Sequence, residues 1–187
     1  AMRTSVASPR FDAPPPSRQQ IEADWLRQDD LRFLRASSAS EVTREQDAAG
    51  AVDGVKGGKW GFHTDDEHQP WWLVDLGQIA PLERVVIWNR CDGHAGRNAR
   101  IIVLLSDDGK SFRQAHQHDG TVFQGFTDQK PLVVKLPGAR ARFVRLSLPE
   151  KSYFHLDEVE VFATGATNNL AFHRRATQSS TSQWSAR

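Results

Sequence analysis

The clearest feature of the chain is a series of short apolar runs that begins near residue 31 and ends near residue 162. Each run is six or seven residues long, the ordinary length of a strand, and no long stripe with helical spacing interrupts the series. The runs lie at residues 31–36, 71–76, 84–90, 100–106, 131–136, 142–148 and 156–162. Turn residues separate them, among them the Asp-Gly of 106–112 and the Pro-Gly of 136–140. The pattern predicts an all-β domain built as a sandwich or a barrel.

The two ends of the chain do not follow this pattern. Residues 1–30 are predicted to form an extended linker and then a short helix over 17–30, so the domain begins with a helical or irregular extension. Residues 165–187 are polar, and their stretch NLAFHRRATQSS resembles the opening of another module, comparable with RASSAS at 35–40. The sequence therefore predicts one β domain over 31–164, followed by a linker and the truncated start of a possible second module.

Charge and composition narrow the kinds of partner. The net charge of +1 gives no global basic excess, so we do not expect a nucleic-acid partner. A membrane partner is also not expected, because no apolar run approaches the roughly 20 residues of a spanning helix and the net charge offers little attraction to anionic lipid. Cys91 is the single cysteine, so the chain has no disulfide framework. Phosphate-loop and nucleophile-elbow motifs are absent from the sequence, and we expect no enzyme in these residues.

Six short segments occur in an order that resembles a known family. They are AVDG (51–54), PWWLVDLG (70–77), VVIWNR (85–90), SDDGKSF (106–112), ARFVRLSLP (141–149) and HLDEVEVF (155–162). Together they resemble the coagulation factor 5/8 type C, or discoidin-like, domain. The resemblance implies a jelly-roll β-sandwich of the galactose-binding-like fold across residues 31–164. Within that fold we interpret Trp71 and Trp72 mainly as packing residues.

One branch of that superfamily, the fucolectins or F-type lectins, has a tighter motif. It consists of a histidine, 26 residues, Arg-x-Asp, four residues, and then an arginine or lysine. In this chain His63 is followed by 26 residues, then by Arg90, one residue, Asp92, four residues and Arg97. The chain therefore resembles the fucolectins at all four fixed positions of the motif.

The chemistry of these side chains suits a neutral sugar. Such a ligand must be held by several hydrogen bonds from pre-positioned groups, with an apolar wall against its C–H face. By resemblance, the histidine and both arginines bond the ring oxygen and the 3- and 4-hydroxyls of α-L-fucose, and Asp92 neutralises and orients the arginines. Trp60 or Phe62 is predicted to contact the methyl group or the ring face of the sugar. The chain departs from the family at Gly93 and His94, which stand where relatives carry two adjacent cysteines.

The resemblance also implies a structural calcium ion near the first loop, held by carboxylates and backbone carbonyls. The implied carboxylates belong to Asp53 and Glu158. The implied carbonyls belong to Gly50, Val55, Trp60 and Asp157. Trp60 stands where relatives carry Ser or Thr, so we expect only its carbonyl to bind and the coordination to be weaker or completed by water. The alternative is that Asp53 lies in an ordinary turn and Glu158 is a solvated strand residue.

Two functions remain open at the level of the sequence. The first is a non-catalytic, lectin-like module that binds a fucosyl or galactosyl glycan. The alternative is a protein-interaction or spacer domain, in which Arg90 or Arg97 forms an ordinary surface salt bridge with Asp92. In either case we expect the chain to be part of a larger parent protein. The resemblance favours a secreted or cell-surface location, and a cytoplasmic one stays open.

Overall fold

The computed structural model describes residues 42–185. The predicted linker and helix of residues 1–30 and the predicted strand at 31–36 lie outside the described residues. Within residues 42–185, helical structure is limited to α1 (Arg44–Ala48) and two 3-10 turns, Ala49–Ala51 and Ala95–Asn98. The strands are β1 (Phe62–His63), β2 (Glu67–His68), β3 (Trp71–Trp88), β4 (Ile102–Ser106), β5 (Arg113–Gln117), β6 (Leu132–Lys135), β7 (Arg140–Ser147), β8 (Lys151–Ser152), β9 (His155–Leu156), β10 (Glu158–Ala163) and β11 (Arg175–Gln178).

The long strand β3 organises the fold. Its register with β7 shifts between Asp75 and Ala80, where Gly77 adopts a φ of 87°. Before this irregularity β3 lies between β7 and β11, and after it β3 lies between β10 and β6. β7 continues the first layer through β4 and β5. Because β3 belongs to both layers and all of these pairings are antiparallel, the sheet curls into the predicted jelly-roll β-sandwich.

The core lies between the two layers. In the first half of β3 the buried residues alternate with less buried ones, as expected for a strand with one face in the core, and they are Trp72, Val74 and Leu76. The Trp72 indole donates a hydrogen bond to the Ala48 carbonyl at 3.0 Å, so the largest core side chain also has its polar atom satisfied. Trp72 is therefore a packing residue, as predicted. Among the described residues, no helix is long and apolar enough to cross a membrane.

Most of the predicted strands are present, with two changes in their bounds. The runs at 71–76 and 84–90 are two parts of the single strand β3, and the run at 156–162 is divided between β9 and β10. The hairpin predicted at 106–112 joins β4 to β5. Its Asp108 carboxylate accepts hydrogen bonds from the backbone N–H groups of Lys110 and Ser111, and these bonds lower the pKa of Asp108 to about 2.

The segment 165–185, predicted to be a linker and the truncated start of a second module, contributes a strand to the sandwich. It forms β11, which pairs with β3 from Trp72 to Asp75. Ala171 is fully buried in the same core, and the fully buried Gln178 donates to Asp47 Oδ2 at 2.8 Å. The domain therefore extends past the predicted boundary. A strand of four residues with a mostly polar sequence has too weak an apolar pattern to be recognised from the chain alone.

Candidate functional site

The loop that follows β3 carries both motif arginines, and two buried asparagines hold it in place. Asn89 Nδ2 donates to the carbonyls of Ala95, at 3.0 Å, and Phe123, at 2.8 Å. Asn98 Nδ2 in turn donates to Asn89 Oδ1 and to the His155 carbonyl, each at 2.6 Å. Both asparagines are fully buried, so these bonds are shielded from water. They fix the two ends of the loop between Arg90 and Arg97.

Arg90 is nearly buried and is paired with Asp92. Its Nη2 donates to Asp92 Oδ2 at 2.6 Å, and its Nε donates to the other carboxylate oxygen. This two-point contact with the guanidinium lowers the pKa of Asp92. The guanidinium also lies over the Trp60 ring, 4.6 Å from its centre. Asp92 thus holds Arg90 in one orientation, and within residues 42–185 the Nη1 of Arg90 forms no hydrogen bond.

His63 lies in β1, directly opposite His155 in β9. Its Nδ1 is 2.8 Å from the Thr64 carbonyl, an acceptor only, so Nδ1 carries the proton and Nε2 is the acceptor of the neutral ring. Burial lowers the pKa of His63, and the nearby Arg90 and Arg97 lower it further. The site therefore contains a neutral imidazole whose Nε2 can accept a hydrogen bond from a hydroxyl group.

Arg97 completes the cluster from the other end of the loop. It is exposed, and its guanidinium carbon lies 5.2 Å from the centre of the Tyr153 ring. The Tyr153 ring is in turn 5.5 Å from the His63 ring. Within residues 42–185, Arg97 forms no ion pair with a carboxylate. Its donors are therefore available to an uncharged ligand beside His63.

The two predicted aromatic contacts have different outcomes. Trp60 lies at the cluster, half-buried, with its ring 5.9 Å from that of His63. Phe62 does not: its side chain is fully buried and packs against Trp72 and Phe154. The prediction that Phe62 contacts a sugar is therefore wrong. Neighbouring residues of a strand point to opposite faces, so Phe62 turns into the core when His63 faces the arginines.

Two residues of the cluster were missed by the sequence reasoning. Tyr153 and His155 come from β9 and the turn before it, some 90 residues after His63. The His155 ring lies 5.0 Å from that of His63, and burial, with Arg90 nearby, lowers the pKa of His155 to about 2. The pairings of β1 with β9 and of β2 with β8 bring these side chains to the site, and no local spacing signals either pairing.

The predicted calcium ligands partly converge beneath this cluster. A Cβ placed on Gly61 would lie 2.2 Å from the Gly50 carbonyl oxygen and 2.5 Å from that of Asp157, so these two oxygens lie close together. Glu158 is fully buried; its Oε1 accepts from the Gly54 N–H, and its Oε2 has no hydrogen-bond partner within residues 42–185. Burial raises the pKa of Glu158, and the neighbouring Asp53 raises it further. A buried carboxylate with an unpaired oxygen, two carbonyls and a second carboxylate fit a hard cation.

The remaining predicted calcium ligands are less clearly arranged for binding an ion. The Asp157 carboxylate accepts hydrogen bonds from the backbone N–H groups of Gly57 and Gly58, and the ligand predicted from this residue is its carbonyl. The Val55 N–H donates to Asp53 Oδ1, and the ligand roles of the Val55 and Trp60 carbonyls stay predictions. Among the described residues no three His, Cys, Asp or Glu side chains form a metal-binding group. A cation here would depend on backbone oxygens.

Comparison with known proteins places these features in context. A model of the family described as F5/8 type C domain matches residues 35–159. Fucolectin-6 of Anguilla japonica is 32% identical over 119 residues, covering 54% of this chain and 53% of the relative. Fucolectin-5 of the same organism is 32% identical over 109 residues, with the same two coverages. The chain thus spans about half the length of the curated relatives it matches.

Solved structures give the same likeness. A fucose binding module of Streptococcus pneumoniae has a TM-score of 0.55 at 28% identity, over 68% of this chain and 90% of the module. The lectin domain of lectinolysin, solved with the Lewis B antigen, has a TM-score of 0.51 at 28% identity, over 68% of this chain and 89% of that domain. An f-lectin from Morone saxatilis serum, 22% identical over 66% of this chain and 43% of its own, shares the fold with a TM-score of 0.55.

Proposed function

The chain belongs to the F5/8 type C domain family, and on that premise we propose that it is a non-catalytic carbohydrate-binding module for a neutral fucosyl or galactosyl glycan. The observation that carries the proposal is the grouping of the buried His63 and Arg90 with the exposed Arg97 in one cluster. The curated relatives are named fucolectins, and the similar solved structures include a fucose binding module and a lectin domain. These names support the same class of ligand.

The donor and acceptor set suits sugar hydroxyls. Each hydroxyl can donate one hydrogen bond and accept others, so a site that offers both kinds of group can satisfy it completely. The neutral His63 ring supplies an acceptor at Nε2, while Arg90 and Arg97 supply fixed donors on either flank. A ligand hydroxyl that bonds the imidazole and a guanidinium together would use both. We propose that the 4-hydroxyl of the sugar has this role. The 3-hydroxyl and the ring oxygen would then accept hydrogen bonds from the remaining arginine donors.

The electrostatics favour an uncharged ligand over an anion. Asp92 already neutralises Arg90, so the cluster has one unpaired guanidinium and not two. An anionic partner would gain little from a single exposed arginine in salt solution. The absence of the family's cysteine pair, replaced by Gly93 and His94, removes one apolar contact to the sugar. We therefore expect weak binding of a monosaccharide, with a dissociation constant on the order of 1 mM.

We further propose that a calcium ion stabilises the loop beneath the site. Asp53 and Glu158 would hold it with the carbonyls of Gly50 and Asp157, and the carbonyls of Val55 and Trp60 are candidates for the remaining positions. The ion would supply positive charge to the buried Glu158 carboxylate, whose Oε2 has no hydrogen-bond partner within residues 42–185. Excess calcium should raise the melting temperature and a chelator should lower it. Asp53→Asn should abolish this difference, whereas equal melting temperatures of the unaltered protein with calcium and with chelator would contradict the proposal.

A glycan array in the presence of calcium tests the proposed function. The expected result is selective retention of glycans with terminal fucose or galactose, followed by saturable titration with the free monosaccharide. The controls are mannosyl and glucosyl glycans on the same array, because the 4-hydroxyl of mannose and glucose is oriented differently from that of galactose. No retention of any glycan, and no titration at roughly 10 mM sugar, would favour the alternative of a spacer or protein-interaction domain.

A further inference from the structure

The segment 181–185, which follows β11, is hydrogen-bonded to the motif histidine. Ser182 Oγ is 3.1 Å from His63 Nδ1 and donates to the His63 carbonyl at 3.4 Å. Ser185 Oγ donates to the same carbonyl at 2.9 Å. The family model matches residues 35–159, so these contacts come from a part of the chain outside the matched stretch. His63 is therefore held by residues that the motif does not include.

The Ser182 hydroxyl affects which ring nitrogen of His63 carries the proton. Its own hydrogen is directed to the His63 carbonyl, so its oxygen is an acceptor for the N–H at Nδ1. The Thr64 carbonyl, 2.8 Å from Nδ1, is the other acceptor. Two acceptors at Nδ1 favour the tautomer that carries its proton there. Nε2 is then left unprotonated, in the form that can accept a hydrogen bond from a sugar hydroxyl.

A second group of hydrogen bonds holds the backbone of His63. Its N–H donates to Asp47 Oδ2 at 2.9 Å. Gln178 Nε2, at the end of β11, donates to the same oxygen at 2.8 Å and to the His63 carbonyl at 3.3 Å. All three residues are buried, so these bonds are shielded from water. The strand that brings the segment 181–185 to His63 thus also fixes the backbone to which the imidazole is attached.

The chain just before this segment is anchored by contacts elsewhere. Ser180 Oγ donates to Glu67 Oε1 at 2.5 Å and accepts from the Asp65 N–H at 2.9 Å. Within residues 42–185 the Ser180 side chain forms no hydrogen bond with His63. Ser180 and Ser182 are therefore two serines of one stretch, of which only the second contacts the histidine ring.

We propose that Ser182 is a positioning residue for sugar binding, which fixes the tautomer of the His63 ring so that Nε2 accepts from the ligand. The inference rests on the proposed function of the cluster. Ser182 acts on the sugar through His63, and Ser185 and Gln178 hold the backbone in place for it. Sugar affinity in this chain therefore depends on a segment beyond the family-matched stretch being packed against β1.

Three variants separate positioning from stability. Ser182→Ala removes the acceptor at Nδ1, Ser182→Thr keeps the hydroxyl, and Ser180→Ala removes a hydroxyl that anchors the same stretch without contacting the ring. Ser182→Cys, with a weakly hydrogen-bonding thiol, replaces the alanine variant if that one does not fold. Melting temperature checks folding, and calorimetry measures fucose affinity. Nitrogen-15 NMR of the ligand-free proteins at pH 8 reports the tautomer of His63, whose signals are identified by their loss in His63→Gln.

The unaltered protein should show His63 protonated at Nδ1 alone. Ser182→Ala should shift the ring toward the Nε2-protonated tautomer and weaken fucose binding about fivefold, the effect of roughly one hydrogen bond. Ser182→Thr should restore both properties. Ser180→Ala should lower the melting temperature about as much as Ser182→Ala, with the His63 signals unchanged and fucose affinity within about twofold of the unaltered protein.

The outcomes distinguish this inference from the function on which it rests. Unchanged His63 signals in Ser182→Ala, or the same change in Ser180→Ala, would overturn the positioning role alone. A changed tautomer with unchanged fucose affinity would also overturn it. Failure of the unaltered protein to bind either fucose or galactose would overturn the proposed function, and the positioning role with it.

Discussion

Replacing Gly61 with alanine gives the most quantitative test of the loop beneath the site. The Cβ of Gly61→Ala would lie 2.2 Å from the Gly50 carbonyl oxygen and 2.5 Å from that of Asp157, whereas real Cβ contacts stay above 3.0 Å. To restore a separation of 3.0 Å, the Gly50 carbonyl oxygen would have to move by at least 0.8 Å and the Asp157 carbonyl oxygen by at least 0.5 Å. Both belong to buried backbone, which cannot yield as a flexible side chain would.

The cost of this overlap is steric, because Gly61 is not among the glycines with a left-handed backbone. Overpacking of this kind typically destabilises by about 2–4 kcal/mol, which corresponds to a fall in melting temperature of about 5–15 °C for a domain of this size. Urea and thermal unfolding measure the change. Displacing two proposed calcium ligands should also remove the stabilisation by added calcium.

Gly57→Ala is the matched control in the same loop. A Cβ there meets no atom within 4 Å, and the position is exposed. Its free energy of unfolding should stay within about 0.5 kcal/mol of the unaltered protein, or rise slightly because the unfolded chain loses freedom. Equal stabilities of Gly61→Ala and Gly57→Ala would refute the close approach of the two carbonyls, and with it the arrangement proposed for the cation.

Two further predictions concern the arginine and histidine cluster. Sugar affinity, measured by calorimetry, should stay constant as the pH falls from 8 to about 6.5 and should decline only at more acidic pH. The reason is that the pKa of His63 is lowered, so its Nε2 stays unprotonated and can accept a hydrogen bond until the pH falls below the ordinary pKa of histidine. A decline that is already complete at pH 7 would contradict this. Asp92→Asn should weaken sugar binding about tenfold and lower stability by roughly 1 kcal/mol, since a nearly buried Arg90 loses its ionic partner while Asp92 itself is partly exposed. An unchanged affinity in that variant would mean that Asp92 does not orient Arg90 for the ligand.

The sequence was sufficient for the residues whose positions follow from one continuous motif. The spacing from His63 to Arg90, Asp92 and Arg97 was countable, and the structure brings these residues to one cluster. The strand pattern was equally local, so an all-β sandwich or barrel was predictable from it, and the family resemblance implied the jelly-roll sandwich. Each of these inferences depended on short-range periodicity or on a fixed count along the chain.

The features of the site that could not be predicted from the sequence depend on long-range strand pairing and on which face of a strand each side chain occupies. Tyr153 reaches the cluster through the antiparallel pairings of β1 with β9 and of β2 with β8. The error at Phe62 arose because nearness along the chain was taken for nearness in space, although a strand sends successive side chains to opposite faces. The segment 181–185 reaches the site because β11 adds to the edge of β3, a pairing made by backbone hydrogen bonds and not by an apolar signature.

The central claim is that Arg97, unpaired by any carboxylate among the described residues, binds the sugar beside His63. Calorimetric titration of fucose into Arg97→Ala and into Arg100→Ala tests it most directly. Arg100 is a neighbouring, exposed arginine whose Nη1 lies 3.7 Å from Glu150 Oε1. Loss of charge-assisted hydrogen bonds should weaken fucose binding by Arg97→Ala at least tenfold, while Arg100→Ala binds as the unaltered protein does. Equal fucose affinity in all three proteins, or a loss of the same size in both variants, would contradict the account.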